Sequence, residues 1–473
     1  MSKRKNQCLV QGCDFDKDSG FNKCVLHRNN IDLRDIPKFY RTLEEYIAIK
    51  YASHKCSYEQ IISYFKKTRD EYSDSLVVNH LTNKITFDNI RFPSEISGPF
   101  FYLLSKFGNI VFDFCSFRFR IIPEYQNDYF FYSCTFYNDI AEFAFPIRET
   151  HYDSCLFKNN YTYNAGTRNL RQSKDPEFNS CAFNELVTLK GLNTDKTLFT
   201  QCEIKQISIE SSVLDSLPLF FTSKVILLNS TIKSSCTLSA NTINLLDIIG
   251  SNIQGLLSVE SENIYNFNLK GTTLNSVSFN NCNFTSFPHF SNVTVTGASS
   301  IQRTKFFDGL CLKSVTFLND VSFLDTVIND QFQNNTSRET YRIIKHSFDS
   351  IGNTIEANKY FALEMRKAYE ELSWKKVKDI PDKFLMWFNK ITSDYGQKWW
   401  LTVIWILGSA LLIHLFSSID PFNFEVLNGM ASVIIPYKEI IGESHQMSKL
   451  LTFAWFSILL YQLIVALKRK TRR

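Results

Sequence analysis

The chain has 473 residues, more than one compact core usually organises, so two or three units are expected. Its net charge is only +5, and the Lys and Arg residues gather beside apolar runs near the end, which fits a membrane surface and disfavours nucleic acid as a partner. Twelve cysteines in a secreted chain would suggest disulfides, but the opening MSKRKNQCLV lacks the apolar core of a signal peptide. The thiols are therefore expected in a reducing compartment, as metal ligands or small buried side chains.

Residues 8–27 place Cys8, Cys13, Cys24 and His27 in the order C-x4-C-x10-C-x2-H. Two short-spaced pairs on either side of a ten-residue loop can close a tetrahedral Cys3His shell around Zn²⁺. Four protein ligands leave no position for water, so such a zinc ion is structural; the competing reading is three unrelated free thiols beside an imidazole. No basic helix accompanies the motif, so protein contact or capping is expected of it rather than nucleic-acid binding. Residues 33–75 have helical periodicity and few breakers, which predicts a small helical unit ahead of the repeats that follow.

From residue 112 to 328 a six-residue pattern recurs: apolar, two variable positions, a small residue, one variable position, apolar. Its instances are Phe112-Cys115-Phe117, Phe131-Cys134-Phe136, Tyr152-Cys155-Phe157, Phe178-Cys181-Phe183 and Phe199-Cys202-Ile204. They continue as Leu227-Ser230-Ile232, Ile248-Ser251-Ile253, Leu269-Thr272-Leu274 and Phe279-Cys282-Phe284. The small positions stand 19, 21, 26, 21, 28, 21, 21 and 10 residues apart, so the dominant period is about 21, a solenoid period. Within each instance the apolar residues are five apart, and Phe307, Leu312 and Phe317 are expected to continue that step. The regular pattern lapses at residues 159–177, at 205–224 and at Pro288.

In these features the segment resembles the pentapeptide-repeat family, in degenerate form. The resemblance implies a right-handed β-solenoid with roughly four faces per coil, an inward Leu or Phe and an inward small residue. Roughly ten coils at the ~4.8 Å strand spacing make a rod of about 50 Å, a long surface for a partner. The repeated cysteines alternate with Ser and Thr, so buried packing is expected of them rather than a metal ladder. Asp113–Asp325 holds 20 acidic and 16 basic residues, too even a balance for imitation of DNA.

Residues 338–372 carry Tyr341, Ile344, Phe348, Ile351, Ile355, Phe361 and Met365 at helical spacings, which predicts one amphipathic helix or a pair bent near Gly352. Two apolar runs follow, Trp399–Phe416 and Leu450–Leu467, each about 27 Å of helix and free of formal charge. Lys375, Lys376, Lys378, Lys383, Lys390 and Lys398 precede the first run, and Lys468, Arg469, Lys470, Arg472 and Arg473 follow the second; the loop between has only Lys438 and Lys449. The positive-inside rule then predicts two spans with both termini cytoplasmic and the loop outside. Within the runs, His414 and Gln462 suit either a pore or a hydrogen bond between helices, the second being preferred. Residues 426–442 are expected to pack in the outer interface or to form a re-entrant loop.

The expected architecture is thus a mainly β chain: a zinc-binding module at 1–32, a helical or mixed cap at 33–108, a β-solenoid at 109–328, a helical neck at 329–397 and a membrane domain at 398–473. The order of repeats, neck and two spans resembles a group of bacterial membrane proteins with pentapeptide-like repeats, which implies the inner membrane. None of GxxxxGK[ST], HExxH, GxSxG or a dinucleotide-binding glycine motif is present, so a non-enzyme is expected. The leading expectation is a membrane-anchored module that binds or senses an unidentified cytoplasmic protein. The alternative is an oligomeric ion channel or membrane-permeabilising effector, an antiphage effector among the options, in which several copies surround a pore.

Overall fold

The computed structural model describes residues 7–10, 13–18, 21–29, 31–53, 55–66, 84–104, 109–120, 128–143, 150–165, 175–329, 335–417 and 446–471. Contacts divide the chain into two compact units, Met1–Phe307 with Val315–Asn319, and Asp308–Ser314 with Asp320–Arg473.

The first unit is a parallel β-solenoid of about ten turns. Strands Lys84–Asp88, Asn109–Asp113, Tyr129–Tyr132, Thr150–Asp153, Glu177–Asn179 and Phe199–Thr200 stack in register along one face, so the stack already includes a strand upstream of residue 109. In-register parallel pairing sets equivalent side chains one strand spacing apart. Two aromatic ladders result. Phe87, Phe112, Phe131, Tyr152, Phe178 and Phe199 form one, with successive ring centroids 4.9 to 5.3 Å apart. Phe92, Phe117, Phe136, Phe157 and Phe183 form the other, at 4.5 to 5.0 Å. Both are closed to solvent, and beyond Ile204 the core turns mostly aliphatic.

Each coil has two such corners, and this explains the uneven spacing of the motif. Phe117, Phe136, Phe157, Phe183 and Ile204 align as one column, and Leu214, Ile232, Ile253 and Leu274 as a second. Ser212 lies ten residues after Cys202 in the same coil and opens the second column; Cys282 lies ten after Thr272, at the opposite corner. The intervals of 28 and 10 therefore mark a change of corner and not an insertion or a loss. Ile209-Ser212-Leu214 and Ile301-Thr304-Phe306 fit the same pattern, and their buried positions complete the columns.

Residues 205–224, where the pattern lapses, are regular strand: Glu203–Glu210, Val213–Leu214 and Leu217–Phe220. Pro288 is followed directly by strand His289–Ser291. At 159–177 strand Tyr161–Asn164 continues the coil, and residues 166–174 lie outside the described residues. Phe307 does not continue the inward step. It is exposed, and Phe306 is buried in its place against Phe284, at 4.8 Å between ring centroids.

The second unit holds helices. Ser337 caps Arg338–Ser350 by accepting from the Thr340 N–H at 3.2 Å, and Asn353 caps Thr354–Glu371 by accepting from Glu356 at 3.2 Å. Gly352, at φ +75°, separates the two. After this break the predicted apolar stripe changes phase: Tyr341, Ile344 and Phe348 are buried, but Ile351 and Ile355 are exposed, and Ala357, Tyr360 and Ala368 face inward instead. Phe348 stacks on Tyr360 at 5.6 Å, and the Tyr360 hydroxyl donates to the Thr326 carbonyl at 3.2 Å. Among the described residues, three further α-helices belong to this unit: Ile380–Ser393, Trp399–Ser417 and Gln446–Thr471. The last two pack through Ile406, Ala410, Phe456 and Leu459. Among the described residues, Leu450–Arg469 is the one helix long and apolar enough to cross a membrane; the apolar stretch Trp399–Ile413 is shorter.

Candidate metal centre

The N-terminal module is a small knuckle. Gln7 bridges Asp16, the Cys13 N–H donates to the Val10 carbonyl at 3.2 Å, and a single helical turn, Val25–His27, begins directly after Cys24. These turns bring all four predicted ligands together, with their donor atoms within 4.8 Å of one another. Cys13 Sγ is 3.7 Å from Cys24 Sγ; His27 Nδ1 is 3.5 Å from Cys8 Sγ and 3.1 Å from Cys24 Sγ. Ligands at ~2.3 Å (sulfur) and ~2.0 Å (nitrogen) around a tetrahedral ion stand roughly 3.5–3.8 Å apart, so the cluster is near the size of a closed tetrahedral shell. The group could hold a metal ion.

The surroundings treat the sulfurs unequally, favouring the anion at Cys13 and opposing it at Cys24. The Cys24 N–H donates to Cys8 Sγ at 3.3 Å. The hydrogen bond with Cys24 holds the Cys13 thiol down at about 4 despite burial, with His27 and the Phe15 backbone adding to the effect. The same bond, together with burial, pushes Cys24 well above the ordinary thiol range. Next to the ligands, Arg28 is buried, pairs with Asp18 at 3.4 Å and with Asp35, and lies 4.4 Å over the Phe21 ring. A cleft of about 320 Å³ opens beside the cluster, with Cys13, His27, Tyr46, Lys50 and Asp88 among its walls. Lys50 and Tyr46 both bond Asp88 there, so the polar groups of that wall are engaged with one another.

The other predicted residues lie in the second unit. Gln462 donates from Nε2 to Asn389 Oδ1 at 2.6 Å and accepts from Ser393 Oγ at 3.4 Å, so its amide joins two helices. His414 is in helix Trp399–Ser417, but its side chain, like the whole of residues 426–442, lies outside the described residues.

Sequence reasoning missed a polar joint around this pair. Asp394, Tyr395 and Gly396 are three successive residues at positive φ, and they form a turn between helices Ile380–Ser393 and Trp399–Ser417. Arg366 forks onto the Asp394 carboxylate at 2.9 and 3.0 Å, and Lys398 approaches it at 3.3 Å. Arg469 donates to the Tyr395 carbonyl at 2.6 Å and packs over Phe361 at 4.3 Å. Trp405 Nε1 donates to Ile391 O and Thr402 Oγ1 to Thr392 O. Only the clustering of basic residues near the apolar runs hinted at this.

The corner cysteines make a different chemistry. Each thiol or hydroxyl donates to a carbonyl of the preceding coil: Cys134 to Phe112, Cys155 to Phe131, Cys181 to Tyr152, Ser251 to Leu227, Thr272 to Ile248. A small side chain that carries a donor satisfies this position, which explains the exchange of Cys, Ser and Thr. Inside the same coils, buried Glu142 accepts from Thr150, Tyr152 and Tyr161 at 2.6 to 2.8 Å.

Compared with known proteins, the chain matches no family model, no curated protein and no solved structure.

Proposed function

We propose that this protein is a membrane-anchored, non-enzymatic module whose solenoid binds or senses a protein on the cytoplasmic side, with a structural zinc ion in its N-terminal knuckle. The observation that carries the reading is the joint between Asp394 and Gly396. Arg366, Lys398 and Arg469 gather at one end of two apolar helices whose outer faces are exposed, and cations at the ends of apolar helices are what a cytoplasmic membrane boundary selects. On this reading Trp399–Ser417 and the Leu450–Arg469 helix both span an inner membrane, and both termini are cytoplasmic. The long strand stack with nearly balanced charge supplies the binding surface. Three thiolates and an imidazole at tetrahedral spacing favour Zn²⁺ over harder cations.

The test is protease protection of the full chain in oriented vesicles, followed by cross-linking in intact cells. Cleavage within residues 1–372 only from the cytoplasmic side, and a defined protein adduct to the solenoid, are the expected results; cleavage from the outer side, or a solenoid that cross-links to nothing specific, overturns the reading. Metal analysis should give one zinc per chain, lost in Cys24→Ser. The channel alternative gains nothing from Gln462, since its amide is held by Asn389. A comparison of membrane potential on expression of the intact chain and of one lacking residues 426–442 decides it.

A further inference from the structure

Helix Ile380–Ser393 is apolar on its solvent side as well as on its packed side, where Phe388 meets Trp455 at 5.5 Å between ring centroids. Its inward side also carries polar groups that are all engaged: Asn389 accepts from Gln462, Thr392 O accepts from Thr402, Ser393 Oγ reaches Gln462, and Lys383 Nζ donates to the Leu372 carbonyl. Its outward side carries Ile380, Phe384, Leu385 and Trp387, with Phe384 55% and Leu385 59% exposed. The segment leading into it adds exposed Trp374 and Val377. A contiguous apolar face of this kind is uncommon on a soluble surface and marks something that covers it.

The surrounding charge identifies the cover. Lys375, Lys376 and Lys378 are exposed on the same lead-in, interleaved with Trp374 and Val377, and the helix joins through the Asp394–Gly396 turn to apolar helices whose own outer residues Trp399, Trp400, Ile404, Leu460 and Ile464 are exposed. Amphipathic Trp and a lysine cluster beside an apolar face are the features of a segment lying in the headgroup region of an anionic leaflet. From these features we infer that residues 374–387 form a third membrane element, an interfacial wedge that sits in the cytoplasmic leaflet and draws anionic phospholipid to Lys375, Lys376 and Lys378. This rests on the reading that the two apolar helices span the membrane.

The experiment uses the full chain in vesicles of phosphatidylcholine with one quarter phosphatidylglycerol. A photo-reactive benzophenone residue is placed at Leu385 and, separately, at Ile464 as a reference on the apolar helix, and adducts are identified by mass. Lipid adducts at both positions are expected, with the ratio of phosphatidylglycerol to phosphatidylcholine adducts at Leu385 about five-fold above the bulk ratio, and with that excess lost in the triple variant Lys375→Gln, Lys376→Gln, Lys378→Gln. Adducts at Leu385 only to a second copy of the chain, or none, while Ile464 still captures lipid, overturn the wedge and leave the spanning helix standing. Failure to capture lipid at Ile464 as well overturns both readings.

Discussion

A corner of this solenoid asks two things of consecutive residues: a left-handed backbone, then a small buried donor. Phe114, Ser133, Ser154, Ser180 and Gln201 supply the first at one corner, and Ser211, Asn229, Gly250 and Gly271 at the other, with φ between +47° and +61°. Side chains with a Cβ resist this conformation, Asn least among them. Phe221 occupies such a position at φ +59° and is 68% exposed, so little packing compensates. Phe221→Asn is expected to stabilise the solenoid by ~0.5–1 kcal/mol, read as a higher melting temperature. The second requirement is costly to lose. Ser251 Oγ donates to Ile249 O and Leu227 O and accepts from the Ser230 N–H, so Ser251→Ala should lower stability by ~1–3 kcal/mol in a denaturant titration. One carboxyl gives a pH signature. Burial pushes Glu44, on helix Ile36–Tyr51, up from 4.5 to about 7 against the pull of Arg41 and Lys66. The fold therefore prefers the neutral acid: its contribution is complete below about 4.5 and is lost as pH rises through about 7. Melting temperature should fall across that window, and Glu44→Gln should remove this part of the fall.

At the level of elements, one strand position admits no side chain. A Cβ on Gly255 would stand 1.1 Å from the carbonyl oxygen of Ser234 in the neighbouring coil, next to the register shift between Ile253 and Leu256. Gly255→Ala must displace backbone, and a loss of more than ~3 kcal/mol is expected, seen as unfolding or proteolysis of the solenoid at ambient temperature. The elements also show what the sequence could reveal. The five-residue apolar step, the ligand spacing of the knuckle and the break at Gly352 were legible because each is set by local chain geometry. The two corners per coil were not: half-coil neighbours such as Cys202 and Ser212 overlap in one linear string, and only strand pairing separates them. The phase change after Gly352 and the exposed apolar face of helix Ile380–Ser393 were hidden for a related reason, since which face turns inward depends on partners remote in sequence.

On the scale of the whole molecule, the stack is coupled almost entirely between adjacent coils, so stability propagates from neighbour to neighbour. Opening should start at coils with a free side and move inward, and native-state hydrogen exchange should show protection that rises toward the middle of the stack; uniform protection through all coils would contradict this. The joint at Asp394–Gly396 has the opposite character: Arg366 and Arg469, distant in sequence, both bond this one short turn, and Asn358 in turn donates to the Arg469 carbonyl.

The buried thiols give the solenoid a further property. Cys115, Cys134, Cys155, Cys181, Cys202, Cys236 and Cys282 are spaced along the stack and closed to solvent while their coils are shut. Each becomes reactive only when its own coil parts. Alkylation followed residue by residue would then serve as a ruler with seven graduations, written into the chain itself, for how far the stack has opened at any moment, whether under heat, under load or on engagement of a partner.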